Sequence, residues 1–343
     1  MFENGVSEPV LLPYQVLEES VWNRNICSGC RACIAVCFAD TLAFDPNLGR
    51  PYQAVPCVDC KACLDACPRL PANEKSIGSI ENILGPYIDI YNIRSRSSSN
   101  RFQNGGAVTA LLEAVLKEEL VDCVLVMGMD RWSQKPQPRI VYDAKEIERC
   151  AGSKYTSNAV LEAVKDLIKD PKIRNIALVG TPCTIQAVGL LRRSSNEYAQ
   201  KLAHKVRFLI GLFCFEAFDD SLISEISRRL DLPSWRIDKM RADQGKLFIT
   251  LRDGCLKTLP LSDLKECVKP GCKACMDFSA KLSDLSVGGI GSAPGMSTVI
   301  VRTPEGMGLF KIAEEMGLIE VWNGVDVKAI ERAGEIKIKR NRA

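Results

Sequence analysis

Over residues 87–320 the chain alternates short apolar runs with stretches whose apolar residues recur at helical spacing. YIDIYNIRS (87–95) alternates as a half-buried strand does, and AVTALLEAVLKEEL (107–120) places apolar residues at helical intervals. DCVLVMGM (122–129), RIVYD (139–143), NIALVG (175–180) and VRFLIGLFC (206–214) predict strands, several apolar on both faces. NAVLEAVKDLIKD (158–170), residues 185–193 and DSLISEISRRL (220–230) predict helices between them. LFITLRDGCLKTL (247–259) predicts a hairpin turning at Asp253-Gly254. DLSVGGIG and STVIVRT complete the strands, and a helix over 306–316 follows. Strands alternating with helices around apolar strands predict a mixed α/β (α+β) domain with a largely buried sheet.

Outside that region the texture changes. Residues 1–20 predict an arm packed on the outside, with Pro9 and Pro13 interrupting regular structure. Residues 21–72 form a compact cysteine-rich domain, and the polar stretch 73–86, with Gly78, Gly85 and Pro86, predicts a linker. The extension over 321–343 ends in the basic EIKIKRNRA, which reads as a solvated end or as a surface for docking on a partner.

A chain of 343 residues with 46% hydrophobic and 25% charged residues has the material for two or three folded domains. The net charge of +3 gives no reason to invoke nucleic acid. No run of 18 apolar residues occurs, and MFENGVSEPVLLPYQ lacks the order of a signal peptide. Sixteen cysteines in such a chain point to reduced thiols and metal, and so to the cytoplasm. The single histidine, His204 in KLAHKV, rules out histidine-based metal or triad chemistry by count.

Half of those cysteines form two runs of C-x2-C-x2-C-x3-C: Cys27, Cys30, Cys33 and Cys37, then Cys57, Cys60, Cys63 and Cys67. This is the spacing of the bacterial ferredoxin-like 2[4Fe–4S] domain, in which the fourth cysteine of each run serves the other cluster. Cys27, Cys30, Cys33 and Cys67 are therefore expected to hold one cluster, and Cys57, Cys60, Cys63 and Cys37 the other. The second run ends in Pro68, whereas the first has Phe38 at the corresponding position. A zinc ribbon needs two cysteine pairs and no fourth cysteine at this offset.

Of the remaining eight, Cys183 follows one predicted strand, Cys214 ends another, and Cys272 and Cys275 form a C-x2-C pair in a loop. Strand ends line the functional edge of an α/β sheet, so these four stand where metal ligands would. Cys123, Cys150, Cys255 and Cys267 read as structural thiols. FQNGG (102–106) and AGSKYT (151–156) each open a predicted helix, which makes them anion sites or plain helix caps. SVGGIGSAPG (286–295) leads into a strand, unlike a Rossmann fingerprint, and no P-loop is present.

Taken together, FQNGG, AGSKYTSN, IALVGTPCTIQA, IGLFC, PGCKACMDFSAKLSDLSVGGIG and STVIVRT resemble the family of coenzyme F420 hydrogenase/dehydrogenase beta subunits over roughly residues 85–320. With its N-terminal cysteine runs, the layout is similar to the electron-input subunit of F420H2 dehydrogenases. The resemblance implies a larger α/β domain that binds FAD, carries a third [4Fe–4S] cluster and exchanges hydride with coenzyme F420. It makes Cys183, Cys214, Cys272 and Cys275 the ligands of that cluster. It makes Asn104, Gly105, Gly106, Ser153, Lys154, Tyr155, Gly180, Thr181 and Pro182 the lining of the flavin site, with Lys154 on its phosphate. The implied partners are the other redox subunits of a membrane F420H2 dehydrogenase, a hydrogenase, a formate dehydrogenase or a heterodisulfide reductase, with the chain cytoplasmic or peripheral on a membrane complex. The alternatives are an iron–sulfur relay without hydride chemistry and a ferredoxin-dependent flavoprotein reductase of the same family.

Overall fold

A computed structural model describes residues 11–77, 82–156 and 159–342. Two short strands, β1 (Leu42–Asp45) and β2 (Arg50–Gln53), pair as a hairpin within the cysteine-rich segment. The body is built on β3 (Asp89–Ser95), β4 (Cys123–Asp130), β5 (Lys135–Val141), β6 (Ile176–Gly180) and β7 (Val206–Leu212). After the hairpin sheet β8 (Ile237–Asp243), β9 (Lys246–Leu251) and β10 (Leu256–Pro260) come β11 (Leu285–Gly288), β12 (Ser297–Val301) and β13 (Ile319–Trp322). Eight of these strands form one mixed sheet in the order β13-β3-β12-β11-β7-β6-β4-β5. β4, β6, β7 and β11 pair in parallel, and two antiparallel steps through β12 bring β3 into the same direction. The carboxyl ends of five strands therefore share one edge of the sheet.

The sheet is buried because its strands are apolar on both faces. Ile176 and Leu178 of β6, with Cys123 and Leu125 of β4, face α2 (Pro182–Arg193) and α3 (Glu197–Ala203) through Ile185, Val188, Leu191 and Leu202. Ala177, Val179, Val124 and Val126 point the other way, onto α1 (Ala107–Lys117) and α5 (Pro304–Glu315) through Leu111, Val115, Leu309 and Phe310. Each such fully buried aliphatic side chain stabilises the fold by about 1.5–3 kcal/mol relative to exposure. Pro136 and Pro138 lie on β5, at the sheet's edge, where a missing N–H disturbs no inner ladder. The expected hairpin is present as β9 and β10, with Gly254 at φ +84° in its turn. β8, β13, the β1–β2 hairpin and α3 were not anticipated. The small sheet packs on α4 (Ser221–Leu230) through Leu247, Ile249, Leu222 and Ile226.

Three expectations need correction. Pro13 does not interrupt structure: it starts a helix (Pro13–Leu17) that continues through Glu18–Trp22 and buries Leu17, Val21 and Trp22 against the cysteine-rich segment. Proline suits a first helical position because the N–H it lacks has no partner there. The helix expected over 158–170 is a 3-10 turn, Val160–Ala163, followed by Val164–Lys169. The basic tail is not a solvated end, because it belongs to α6 (Val327–Arg342), which buries Ile330, Ala333, Lys337 and Ile338. Pro9 and Gly78 lie outside the described residues.

Candidate cofactor sites

The two cysteine runs fold alike. Gly29 and Asp59 have φ of 70° and 53°, and Arg31 and Lys61 have φ of 61° and 63°. Each left-handed residue at 31 and 61 leads into a short helical turn, Ala32–Ala35 or Ala62–Ala66. This alternation turns successive N–H groups inward, toward the sulfurs, as in an anion-binding nest. The N–H of Ala32 favours the Cys30 thiolate and that of Ala62 the Cys60 thiolate.

The fourth cysteine of each run lies near the thiols of the other. Burial raises Cys33 first, and the next influence is Cys67 of the other run, ahead of Cys27 and Cys30. For Cys63, likewise raised by burial, the next influence is Cys37, ahead of Cys60 and Cys57. Cys37, Cys57, Cys60 and Cys63 also line one enclosed cavity with Tyr14, Thr41 and Leu42. Burial pushes Cys30 up to about 12 and Cys67 to about 11. Such thiols become thiolates when a cationic core binds. Among the described residues, no three Cys, His, Asp or Glu side chains close on a single ion. A cubane spreads its ligands over four irons, so its thiolates stand farther apart than those of zinc.

The third group forms at the carboxyl edge of the sheet. β6 ends at Gly180, and Thr181-Pro182 then starts α2, which puts Cys183 in its first turn with Thr181 Oγ1 3.3 Å from its Sγ. β7 runs out into Cys214, whose N–H donates to the Phe278 carbonyl at 2.9 Å. Cys272 and Cys275 lie on and after the turn Pro270–Ala274, and the N–H of Ala217 donates to Cys272 Sγ at 3.2 Å. Burial raises Cys214, where Cys272, Cys183 and Cys275 add to the rise and Lys337 opposes it. Burial likewise pushes Cys272 up to about 11. At Cys275 burial is outweighed by Lys337 and Arg69, so this thiol is lowered.

α6 closes over the third group. Lys337 Nζ donates to the carbonyls of Cys214 and Asp277, each at 2.7 Å. Asn341 Nδ2 donates to those of Cys272 and Cys275, at 2.9 and 2.7 Å. Sequence reasoning missed both residues. The available signal was the spacing of positions 330, 333, 334, 337 and 338, which is one helical face. The third group also touches the first run, since a Cβ added at Gly271 would lie 2.0 Å from the Cys27 carbonyl oxygen.

The glycine-bearing turns collect at the same edge. FQNGG joins β3 to α1, with Gly106 as N-cap at φ +76°. Gly105 donates its N–H to Ser297 Oγ at 3.1 Å, and a Cβ there would lie 2.6 Å from the Ile93 carbonyl oxygen. Asn104 meets the end of β11, where a Cβ on Gly289 would come within 2.3 Å of its Nδ2. AGSKYT lies alongside, as a Cβ on Gly152 would lie 3.1 Å from the Arg101 carbonyl oxygen. Tyr155 bonds to Ser153 through its hydroxyl, which also accepts the Ala242 N–H at 2.9 Å. The ammonium of Lys154 turns back onto the carbonyls of Cys150, Ala151 and Gly152, and burial lowers it to about 8. Lys154 thus holds its own turn. Gln103 donates through Nε2 to the Met240 carbonyl at 3.3 Å, while its buried Oε1 has no partner. The four remaining cysteines stand apart: Cys123 and Cys267 are core residues, Cys150 packs beside the second core, and Cys255 is exposed on the hairpin.

A mixed α/β sheet with glycine turns and four thiols at its carboxyl edge, joined to a doubled cysteine run, defines a cysteine-rich redox subunit. Residues 90–165 and 173–326 match the N-terminal and C-terminal parts of the coenzyme F420 hydrogenase/dehydrogenase beta subunit, and the chain belongs to that family. It is 33% identical over 242 residues to the coenzyme F420 hydrogenase subunit beta of Methanothermobacter thermautotrophicus, covering 69% of this chain and 85% of that protein. To a subunit of the F420H2 dehydrogenase of Methanosarcina mazei it is 28% identical over 326 residues, covering 90% of this chain and 88% of the relative. The fold is similar to a chain in a xenon-derivatised structure of the F420-reducing [NiFe] hydrogenase complex from Methanosarcina barkeri. That similarity has a TM-score of 0.71 at 27% identity and covers 76% of this chain and 92% of that one. Among the described residues no helix is long and apolar enough to cross a membrane.

Proposed function

We propose that this chain exchanges hydride between coenzyme F420 and a bound FAD, and passes electrons singly through three [4Fe–4S] clusters to a partner redox subunit. The observation that carries the reading is the succession of thiol groups. The third lies at the edge that collects the glycine turns, its loop packs on the first run at Gly271, and the thiols of the first and second runs act on one another. A flavin supplies the conversion between two-electron hydride chemistry and one-electron transfer.

The chain's own residues supply placement. Cys183, Cys214, Cys272 and Cys275 hold the innermost cluster; Cys27, Cys30, Cys33 and Cys67 the next; Cys57, Cys60, Cys63 and Cys37 the outermost. Asn104, Gly105 and Gly106 line the flavin site with Gly180, Thr181 and Pro182, the glycines letting these turns pack closely at the sheet edge. Ser153 and Tyr155 form its second wall, which Lys154 braces through three carbonyls. Gln103 Oε1 offers an acceptor to a cofactor hydroxyl. Cys57 and Cys60 are the less buried thiols of the outer group, and Val55, Val58 and Phe38 beside them are exposed. That face suits a partner of the kinds found in F420H2 dehydrogenase, hydrogenase, formate dehydrogenase or heterodisulfide reductase complexes.

The test is anaerobic mixing of the full chain with F420H2, with and without FAD. Cluster bleaching is expected only when FAD is bound. Rapid bleaching in flavin-free protein would sink the hydride-splitting scheme, and absence of both flavin binding and F420H2 oxidation would favour a pure relay.

A further inference from the structure

Arg69 lies two residues beyond Cys67, yet its side chain enters the α/β body and is only 7% exposed. Its Nη1 donates to the Pro68 carbonyl and to Oε1 of Gln186 on α2, both at 3.2 Å. Its Nε and Nη2 are buried without a hydrogen-bond partner. Gln186 in turn donates through Nε2 to Asp277 Oδ2 at 3.4 Å, so this carboxylate reaches Arg69 through an amide. Burial opposes the guanidinium charge, and Cys275, Cys183, Cys30 and Cys67, in that order, favour it. The first two belong to the third thiol group and the last two to the first. A guanidinium does not deprotonate in proteins, and a buried one with idle donors is costly unless anions stand nearby.

We propose that Arg69 is a shared positive charge between the first and third clusters, holding the reduction potentials of both up while leaving the second little changed. This rests on the three-cluster reading above. Each cluster gains one negative charge with the electron it accepts, and a fixed cation between two clusters favours that gain at both; net charge is among the determinants of cluster potential. The outer group is built differently: beyond burial and backbone, Cys60 is influenced by Cys37 and Cys57, and Cys63 by Cys37, Cys60 and Cys57. Arg69 is thus a positioning residue for charge, and the idle Nε and Nη2 are donors available to cluster sulfur.

The experiment is an EPR-monitored redox titration of the full chain, purified anaerobically, comparing Arg69→Gln and Arg69→Lys with the parent. In Arg69→Gln two of three midpoints should move to more negative potential, and Arg69→Lys should return them most of the way. Three unmoved midpoints, or three that shift together, would overturn the proposal. Should Arg69→Gln fail to retain iron, Gln186→Glu places a carboxylate against the guanidinium and must lower the same two midpoints, or the proposal fails. An iron count well below about twelve per chain, four per cluster, contradicts the three-cluster reading instead. A full count with unmoved midpoints contradicts the role of Arg69.

Discussion

The runs over 27–37 and 57–67 share a spacing and a local backbone but not their surroundings. Arg31 and Lys61 hold the same left-handed turn, so the loops are equivalent in backbone. Around the first run stand Arg69 and Lys269, both acting on Cys27, with the Gly271 loop pressed on the Cys27 backbone. Val58, next to Cys57 at the start of the second run, is 56% exposed. The same motif thus stands once against the α/β body and once toward the surface. Spacing decides which atoms can ligate, while packing decides what charge and solvent those atoms meet.

The contact at Gly271 is the place to break that difference most strongly. Gly271→Ala puts a Cβ 2.0 Å from the Cys27 carbonyl oxygen, with backbone on both sides of the clash. Relief requires the two loops to part, at about 1–3 kcal/mol or more. Iron should be lost from the first and third groups and kept by the second. Thermal unfolding with iron analysis checks this, and a variant with parental midpoint and iron would mean that the contact is unimportant.

A somewhat smaller effect is expected at the third group alone. Lys337→Met keeps the volume but leaves the Cys214 carbonyl without a donor and the Asp277 carbonyl with only the Cys275 thiol, 3.6 Å away. A buried acceptor so orphaned costs about 1–3 kcal/mol. The third cluster should become the first to yield to a chelator, ahead of both ferredoxin-like clusters. Unaltered order of iron release in the variant would contradict the clasp by α6.

The smallest effect sharpens the comparison at the surface. Beyond Cys37, Asp40 accepts a hydrogen bond from Lys165 at 2.5 Å, and that bond and charge hold its carboxyl below the usual range. On the second run, Asp65 instead accepts from the neutral Ser194 hydroxyl at 2.5 Å. A lowered folded pKa means that the stabilisation is present above the ordinary aspartate value and lost as pH falls through the folded one. Asp40→Asn should therefore cost about 0.2–1 kcal/mol at neutral pH and low salt. The difference should vanish in acid and shrink with added salt. An equal salt response in Asp65→Asn would remove the contrast.

Much of this was legible from local pattern. The buried strands announced themselves because both faces of β6 and β4 are apolar, and the hairpin of β9 and β10 because Asp253-Gly254 breaks two alternating runs. Other elements were hidden by competing signals. Pro13 looked like a breaker because sequence does not distinguish a first helical position from an interior one. β8 is too polar to be read as a strand, with only Ile237 and Met240 buried, and β13 is apolar but only four residues long. Lys337 was hidden by its chemistry, since a lysine among basic neighbours reads as solvated unless two carbonyls are known to await it.

Sequence by itself determined the groups of cysteines, because ligand spacing is a property of a few bonded residues and does not wait for the fold. It determined the α/β alternation and the family through motifs kept in order along the chain. Only the tertiary structure decided that Asn104 meets Gly289, that Gly271 rests on Cys27, and that α6 and Arg69 place buried cations beside particular thiols. The reason is range: a period or a spacing is written in neighbouring residues. A buried charge acquires its meaning from partners more than a hundred positions away, such as Gln186 for Arg69 and Cys214 for Lys337.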